Sequence, residues 1–523
     1  MHNYFNSRSV LSTSVVLLAS IPLLFVAHQS IQLSVDQWFG LWSSRLPSLL
    51  WNTLSLSVLV AIGSFILGLS SAWLITRREF VGRRAAIWLM VLPLTIPTYV
   101  FAHIYTSLTE HDGWLGQAWN WLFGPSIAIP DLYNVFGVAF VLSLAGFSYV
   151  FLLVSDALTR SRVDIEEAAR IHGLNSRQVF WRVSLPMLRP AVAAGTALVV
   201  LHVLSDFGAV SMLRFQTFTL SIYLQMSGRF DLQAAAGLSL VLVLLSLTFL
   251  ILERFFRDRQ RYYSNGQNHR MQRCVASPFE QALIWLWLGV ITLFAFGLPV
   301  AWMLVWSWEA WQLSLLTEQF WGYVQNSLSV SVAAATLATM AALPVALFHA
   351  KLRNKVSQSY IHLSSLGFVL PGPVIALGIL SFVLSTMPWF YGGLTMLLLA
   401  MLIRFLPLAV QAQEAVVQQL SPSIEEAGRS LGASPWENLR RVILPMLRNG
   451  LITAWVLVFI DTLKELPATL LLRPTGFDTL PVRIWIEASE EMLELAAPAA
   501  LMLMLGTLPV LWLLMRQHDA ATK

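Results

Sequence analysis

The residues best placed to do chemistry are a few ionisable groups in otherwise apolar stretches: Asp206 in HVLSDFGAVSMLRFQTF, and Asp461, Lys464 and Glu465 in FIDTLKELPATLLLRPTGF. Carboxylates serve either acid–base catalysis or the handling of cations. No nucleophile, base and orienter fall together around them, and no His-Glu-x-x-His motif is present, so the sequence does not read as an enzyme. No Gly-Lys pair occurs anywhere, which excludes the G-x-x-x-x-G-K-[ST] loop that cradles nucleotide phosphates. The single cysteine, Cys274, permits neither an intrachain disulfide nor a thiolate cluster. His103, His202 and His349 stand singly in apolar segments and read as core or interface residues, so no metal-ligand set is assigned. Hard cations prefer carboxylate oxygen, whereas phosphate or sulfate calls for helix N-termini and arginines.

The elements that hold these groups are membrane spans. Of 523 residues 57% are hydrophobic and 12% charged, against about 25% charged in a soluble domain. Apolar segments of about 20 residues, enough to cross a bilayer as a helix, begin near Val10, Leu49, Ala86, Leu132, Ala191 and Ala234, and again near Leu283, Asn326, Ile361, Tyr391, Leu451 and Leu495. The expected fold is all-α and polytopic, with about twelve spans in two parallel repeats of six. The run Val10 to Val26 lacks a small-residue cleavage site and is read as a retained span. Arg77, Arg78, Arg83 and Arg84, and later Lys351, Arg353 and Lys355, mark cytoplasmic turns, while Glu110, Asp112, Asp131, Glu309, Glu318, Glu487, Glu490, Glu491 and Glu494 fall outside, which places both termini inside. The net charge of +5 therefore reflects topology and not nucleic-acid binding. Trp114, Trp119, Trp121, Trp302, Trp306, Trp308 and Trp311 read as an interfacial belt. An ionisable group at membrane depth costs about 3 kcal/mol unless it faces a cavity or partner. Asp206, Asp461, Lys464 and Glu465 are thus candidates to line a path where the two halves meet. The alternative is mutual neutralisation, Lys464 with a neighbouring carboxylate; Arg214 and Arg473 are expected to snorkel to the outer surface. Pro93, Pro97, Pro371 and Pro373 fall in the third span of each half, where a broken helix can adjoin a path and a packing kink is equally compatible.

One polar passage occurs twice: DIEEAARIHGLNSRQVFWRVSLPMLR at Asp164 to Arg189, and SIEEAGRSLGASPWENLRRVILPMLR at Ser423 to Arg448. Glu166 stands to Glu425 as Gly173 to Gly432 and Pro186 to Pro445, a constant offset of 259 residues that also pairs Asp206 with Glu465. Ser423 with Glu426, and Asp164 with Glu167, have capping-box spacing, and Gly173 and Gly432 read as the residues that end the helix. A second helix is expected from Ser434, with Pro435 and Glu437 completing another box, stopping before Pro445; the first copy runs less fully from Ser176 to about Ser184, before Pro186. Gly428 replaces Ala169 and is expected to loosen the second copy slightly. Helices of about eight residues are unstable alone in water, and six spans lie between the copies, so both hairpins emerge on the cytoplasmic face and need something to pack on. A membrane-surface connector or a DNA-binding hairpin would need no second matched copy.

The pattern E-E-A-A-x-x-x-G, followed twelve residues later by L-P, resembles the EAA loop of importer-type ABC transporter permeases, and the resemblance extends over most of the chain. It implies that the hairpins are coupling helices that insert into cytoplasmic ATPase subunits, with Glu166, Glu167, Ala168, Gly173, Glu425, Glu426, Ala427 and Gly432 as docking residues. It further implies two ATPase subunits or one homodimer, a periplasmic substrate-binding protein, no cofactor bound by this chain, ATP used by the partners, and a bacterial inner-membrane location. The segments are then 1–48 (first span and outer loop), 49–253 (first permease domain), 254–280 (basic cytoplasmic linker), 281–321 (seventh span and outer loop) and 322–516 (second permease domain). The linker's arginines serve as a topology signal, with anionic membrane lipid as the other reading. K-E-L-P-A-T-L-L-L-R-P and S-D-F-G are similar to fused two-domain ferric-iron permeases; thiamine, polyamine and phosphonate permeases share the architecture. From another class, an ion-coupled secondary transporter would use the carboxylates as coupling sites and need no ATPase.

Overall fold

The computed structural model describes residues 2–159, 163–258, 273–352, 354–418, 424, 427–428 and 430–521, and the architecture is all-α. Among the described residues ten helices are long and apolar enough to cross a membrane, or eleven if the bent pair Arg83–Thr95 and Thr98–Thr109 is one span. The strand pairing described is one short parallel bridge, Arg78–Glu79 with Cys274–Val275, which ties the end of the linker to the turn after Leu46–Arg77. Arg273 and Arg78 add ion pairs to Glu79 and Glu280 there. Arg259, Arg261 and Arg270 lie outside the described residues, as does Arg353.

Prolines set the breaks. Pro97 is extended (φ −62°, ψ 151°) and has no N–H to continue the helix before it, so the third span turns by 94° and restarts at Thr98. The second half repeats this: Leu370 is held extended before Pro371, and a new helix, Gly372–Thr386, begins at the next residue.

The helices sort into two compact units. One comprises Arg45–Leu220 and Leu244–Trp306. Within it Leu46–Arg77 lies close along Val135–Thr159: a Cβ on Gly68 would fall 2.7 Å from Val150 Cβ and 2.9 Å from the Phe147 carbonyl oxygen, so only glycine admits this approach. Asn134 starts Val135–Thr159 by accepting the N–H groups of Phe136 and Gly137. Trp302 is buried in this unit and donates to Ser107 Oγ at 3.2 Å, so it leaves the interfacial belt, whereas Trp121, Trp308 and Trp311 are exposed as a belt requires.

The other unit comprises Met1–Ser44, Ser221–Val243 and Ser307–Lys523. Its first helix, His2–Ile31, packs on Gly372–Thr386: Phe25 meets Phe382 edge to face at 5.4 Å, and Ser12 Oγ donates to the Pro344 carbonyl at 3.0 Å. The first span therefore joins the unit built mostly from the second half of the sequence, and the helix from Pro278 joins the first-half helices.

Gly378 is where the first helix touches most closely, since a Cβ there would lie 2.4 Å from Pro22 Cα. Gly378→Leu should force these helices apart at a cost of about 1–3 kcal/mol, as overpacking does. A fall in the thermal unfolding midpoint of the detergent-purified protein measures it; an unchanged midpoint would mean that the first helix does not dock there.

Candidate functional site

The first hairpin begins with the helix Val163–Ile171. Its end is a full Schellman arrangement: the Leu174 N–H reaches the Ala169 carbonyl at 3.1 Å and the Gly173 N–H the Arg170 carbonyl at 2.9 Å. Gly173 has φ +86° and a Cβ there would meet nothing within 4 Å, so glycine is required by the backbone and not by crowding. Gly432 repeats both features at φ +85°, and the Ala433 N–H reaches the Gly428 carbonyl. Glu425, Glu426 and the Ser423 cap lie outside the described residues.

The second helices are capped as a pair. Ser434 and Glu437 form the expected box, and the Ser434 N–H, with its hydroxyl and then Arg441, holds the Glu437 carboxyl below its ordinary range. In the first copy the corresponding box is Asn175 with Gln178, whose side chains exchange bonds with each other's backbone at 3.0 and 2.9 Å. The helix is thus capped one residue before Ser176, by an amide pair in place of serine and glutamate. Neither second helix stops before its proline. Each passes through a π turn, Phe180–Ser184 or Leu439–Ile443, directly into a membrane helix, Leu185–Ser205 or Leu444–Leu463. The wider turn lies where the ring of Pro186 or Pro445 would clash with the carbonyl four residues back, so the helix continues. Gly428 also has a packing reason: a Cβ there would lie 2.5 Å from the buried side chain of Asn438.

The two adjacent glutamates of the first hairpin point in different directions. Glu166 is 5% exposed; its Oε1 accepts Ser184 Oγ at 2.8 Å and pairs with Arg77, the last residue of Leu46–Arg77. Glu167, Ala168 and Gly173 are exposed, as are Ala427 and Gly432 in the second copy. Beside the glycine turns stand apolar side chains left largely uncovered by the described residues: Ile171 is 86% and Leu431 88% exposed, and Trp181 and Trp436 are exposed on the following helices.

The buried carboxylates sit at matching places. Asp206 ends Leu185–Ser205 and accepts the N–H groups of Ala209 and Val210 at 3.0 and 3.3 Å, while Thr98, the first residue after the Pro97 break, donates its hydroxyl to the other carboxylate oxygen. Glu465 accepts the Ala468 N–H at 3.2 Å and forms an ion pair with Arg404 at 2.9 Å. Where the first half has Thr98 the second has Gly372, and a Cβ there would crowd Glu465 Oε1 at 2.9 Å and Arg404 Nη1 at 3.1 Å. Arg404 is the site residue the sequence reading missed; a lone arginine inside the apolar run LIRFLPL was the available signal. Asp461 and Lys464 approach to 3.9 Å, which is the mutual neutralisation weighed from the sequence. Arg473 pairs with Asp478 at 3.1 Å, and Arg214 stacks over Tyr133 at 5.8 Å. His103 is buried against Trp302, and His349 lies 3.4 Å from Glu414. Among the described residues no cluster of three or more His, Cys, Asp or Glu could hold a metal ion.

Comparison with known proteins bears on the whole arrangement. Residues 64–262 and 334–519 match the family described as binding-protein-dependent transport system inner membrane component. The chain is 31% identical over 490 residues to the Fe(3+)-transport system permease protein FbpB 2 of Haemophilus influenzae, covering 93% of each. It is 26% identical to the ferric transport system permease protein FbpB of Actinobacillus pleuropneumoniae, covering 80% of this chain and 64% of that one. With the sulfate transport system permease protein CysT of Escherichia coli it shares 30% identity over 46% of this chain and 88% of the relative. The family resemblance carried by the duplicated hairpins holds: this chain belongs to the binding-protein-dependent transport system inner membrane components, and matches that family in both of its halves.

Proposed function

We propose that the chain is the membrane-spanning subunit of an ATP-driven importer that takes substrate from a periplasmic binding protein, and that its substrate is ferric iron. The observation that carries the ATP-driven reading is the pair of matched hairpins, each ending in a left-handed glycine beside an uncovered apolar side chain, Ile171 or Leu431. An apolar residue at the tip of a short surface helix gains by docking in a protein groove. Two such tips fit two ATPase subunits or one homodimer on the cytoplasmic face, with both chain termini on that side. The permease itself carries no cofactor, and ATP is consumed by the partners. Ferric iron is supported by likeness along nearly the full chain to a Fe(3+) permease, whereas the sulfate relative matches about half of it.

In this reading Asp206, Asp461, Lys464 and Glu465 belong to the translocation path. Asp206 and Glu465 contribute by bracing the broken third span of each half, through Thr98 and beside Gly372. Asp461 and Lys464 contribute as a loosely paired set of opposite charges.

Three experiments bear on this. Replacing Gly173 and Gly432 together by valine imposes left-handed strain of about 1–2 kcal/mol at each turn; the ATPase subunit should no longer co-purify, and retained ATPase would remove the hairpins from docking. ATP should drive labelled ferric iron into vesicles holding the wild-type complex, and uptake driven by an ion gradient without ATP would sink the importer reading. The double variant Asp206→Asn with Glu465→Gln should keep the ATPase bound but take up iron several-fold more slowly per permease in the membrane. Unchanged uptake would take both carboxylates off the path.

A further inference from the structure

The first hairpin is joined covalently to two membrane helices, Val135–Thr159 before it and Leu185–Ser205 after it. A third helix, Leu46–Arg77, has no chain connection to it at all, yet is attached through side chains. Glu166 sits at that junction, 89 residues from Arg77 in sequence, and its Oε1 serves both Arg77 on the membrane helix and Ser184 on the hairpin's far arm. A single carboxylate oxygen thereby holds both arms of the hairpin to the end of a membrane helix. One turn back along that helix, Trp73 packs edge to face on Phe180 at 4.7 Å, and the Arg77 guanidinium lies over the Trp73 ring at 5.2 Å. The side chains of Arg77 and Glu166 are only 13% and 7% exposed, so the pair is little screened by water, and removing either partner alone would strand a buried charge.

We propose that Arg77, Glu166 and Ser184 are the anchor through which movement of the first hairpin reaches the helix Leu46–Arg77. Glu166 is then a positioning residue turned toward the membrane bundle, and docking falls to its exposed neighbours Glu167 and Ala168. This rests on the importer reading above. Arg77 is the terminal residue of its helix, so displacement of the hairpin is delivered at the helix end, and the close packing at Gly68 carries it to Val135–Thr159 as one body. Without the anchor, hairpin movement would reach Leu46–Arg77 only through the Trp73–Phe180 contact and the packing of the covalently attached helices, and not at the helix end.

The test uses the complete transporter, with permease, ATPase subunits and binding protein in proteoliposomes. The wild type is assayed first: absence of ATPase from it, or of ATP-driven iron uptake, would count against the importer reading and not against the anchor. Arg77→Gln with Glu166→Gln removes the pair without stranding a charge. The ATPase should stay bound and hydrolyse ATP, while iron taken up per ATP falls at least about fivefold, the lower end of ordinary site-to-site coupling. A merely structural role would lower the amount of complex and leave that ratio alone. Unchanged uptake per ATP overturns the proposal; so does loss of the ATPase from the variant, which would make Glu166 a docking contact. Ser184→Ala keeps the ion pair and serves if the double variant does not accumulate: a lowered ratio supports the anchor, an unchanged one overturns it.

Discussion

Inside a bilayer a helix cannot simply stop, because backbone N–H and C=O groups freed at a break find no water. Much of this structure follows from that constraint. Where the third span of the first half breaks at Pro97, the residue after the break turns its hydroxyl to Asp206, and the same aspartate accepts the first free N–H groups of the short helix that follows it. In the second half Glu465 does the corresponding work for the helix Pro467–Leu472, and Thr469 closes the turn by donating to the Glu465 carbonyl. Each carboxylate is thus held by the backbone it caps. Capping alone gives a reason for an acid at this depth.

The two halves solve this in different ways. Asp206 is met by a neutral hydroxyl and by amides, whereas Glu465 is met by a guanidinium, and Gly372 leaves the room that the longer side chain and its arginine need. Removing either member of the Arg404 and Glu465 pair would leave a buried charge uncompensated, at a cost of about 3–5 kcal/mol. Duplication within one polypeptide makes such divergence possible, because each copy can adjust to its own neighbours without having to work in both positions.

How much was legible in the sequence follows the range of the interaction. The spans, the duplicated hairpins, the left-handed glycines and the Ser434 box depend on residues within one or two turns of each other, and each could be read from spacing. The Asn175 and Gln178 box is equally local, but Ser176 beside it offers an equally favoured capping residue and masks the amide pair. Arg404 with Glu465, and Arg77 with Glu166, join spans far apart in sequence, and periodicity carries no information about which span meets which. The same holds for the helix His2–Ile31, whose apolar sequence fits a bilayer but says nothing about the neighbour that Gly378 admits. The passage through Pro186 and Pro445 is hidden in the sequence for a different reason. Proline reads as a stop, whereas a π turn just ahead of it removes the clash that would make it one.

A helix continuous through its proline alters how the hairpin can work. A second helix that ended before its proline would hang from the membrane bundle by a flexible joint, and movement at its tip would be lost in the joint. A helix that runs from Arg177 to Ser205 or from Pro435 to Leu463 is a single rod with one end at the hairpin and the other at a buried carboxylate, Asp206 in one half and just short of Glu465 in the other. The capped N-terminus, the π turn and the acid at the far end then lie along one mechanical element. No loop separates the second helix of either hairpin from the residue that braces the broken third span.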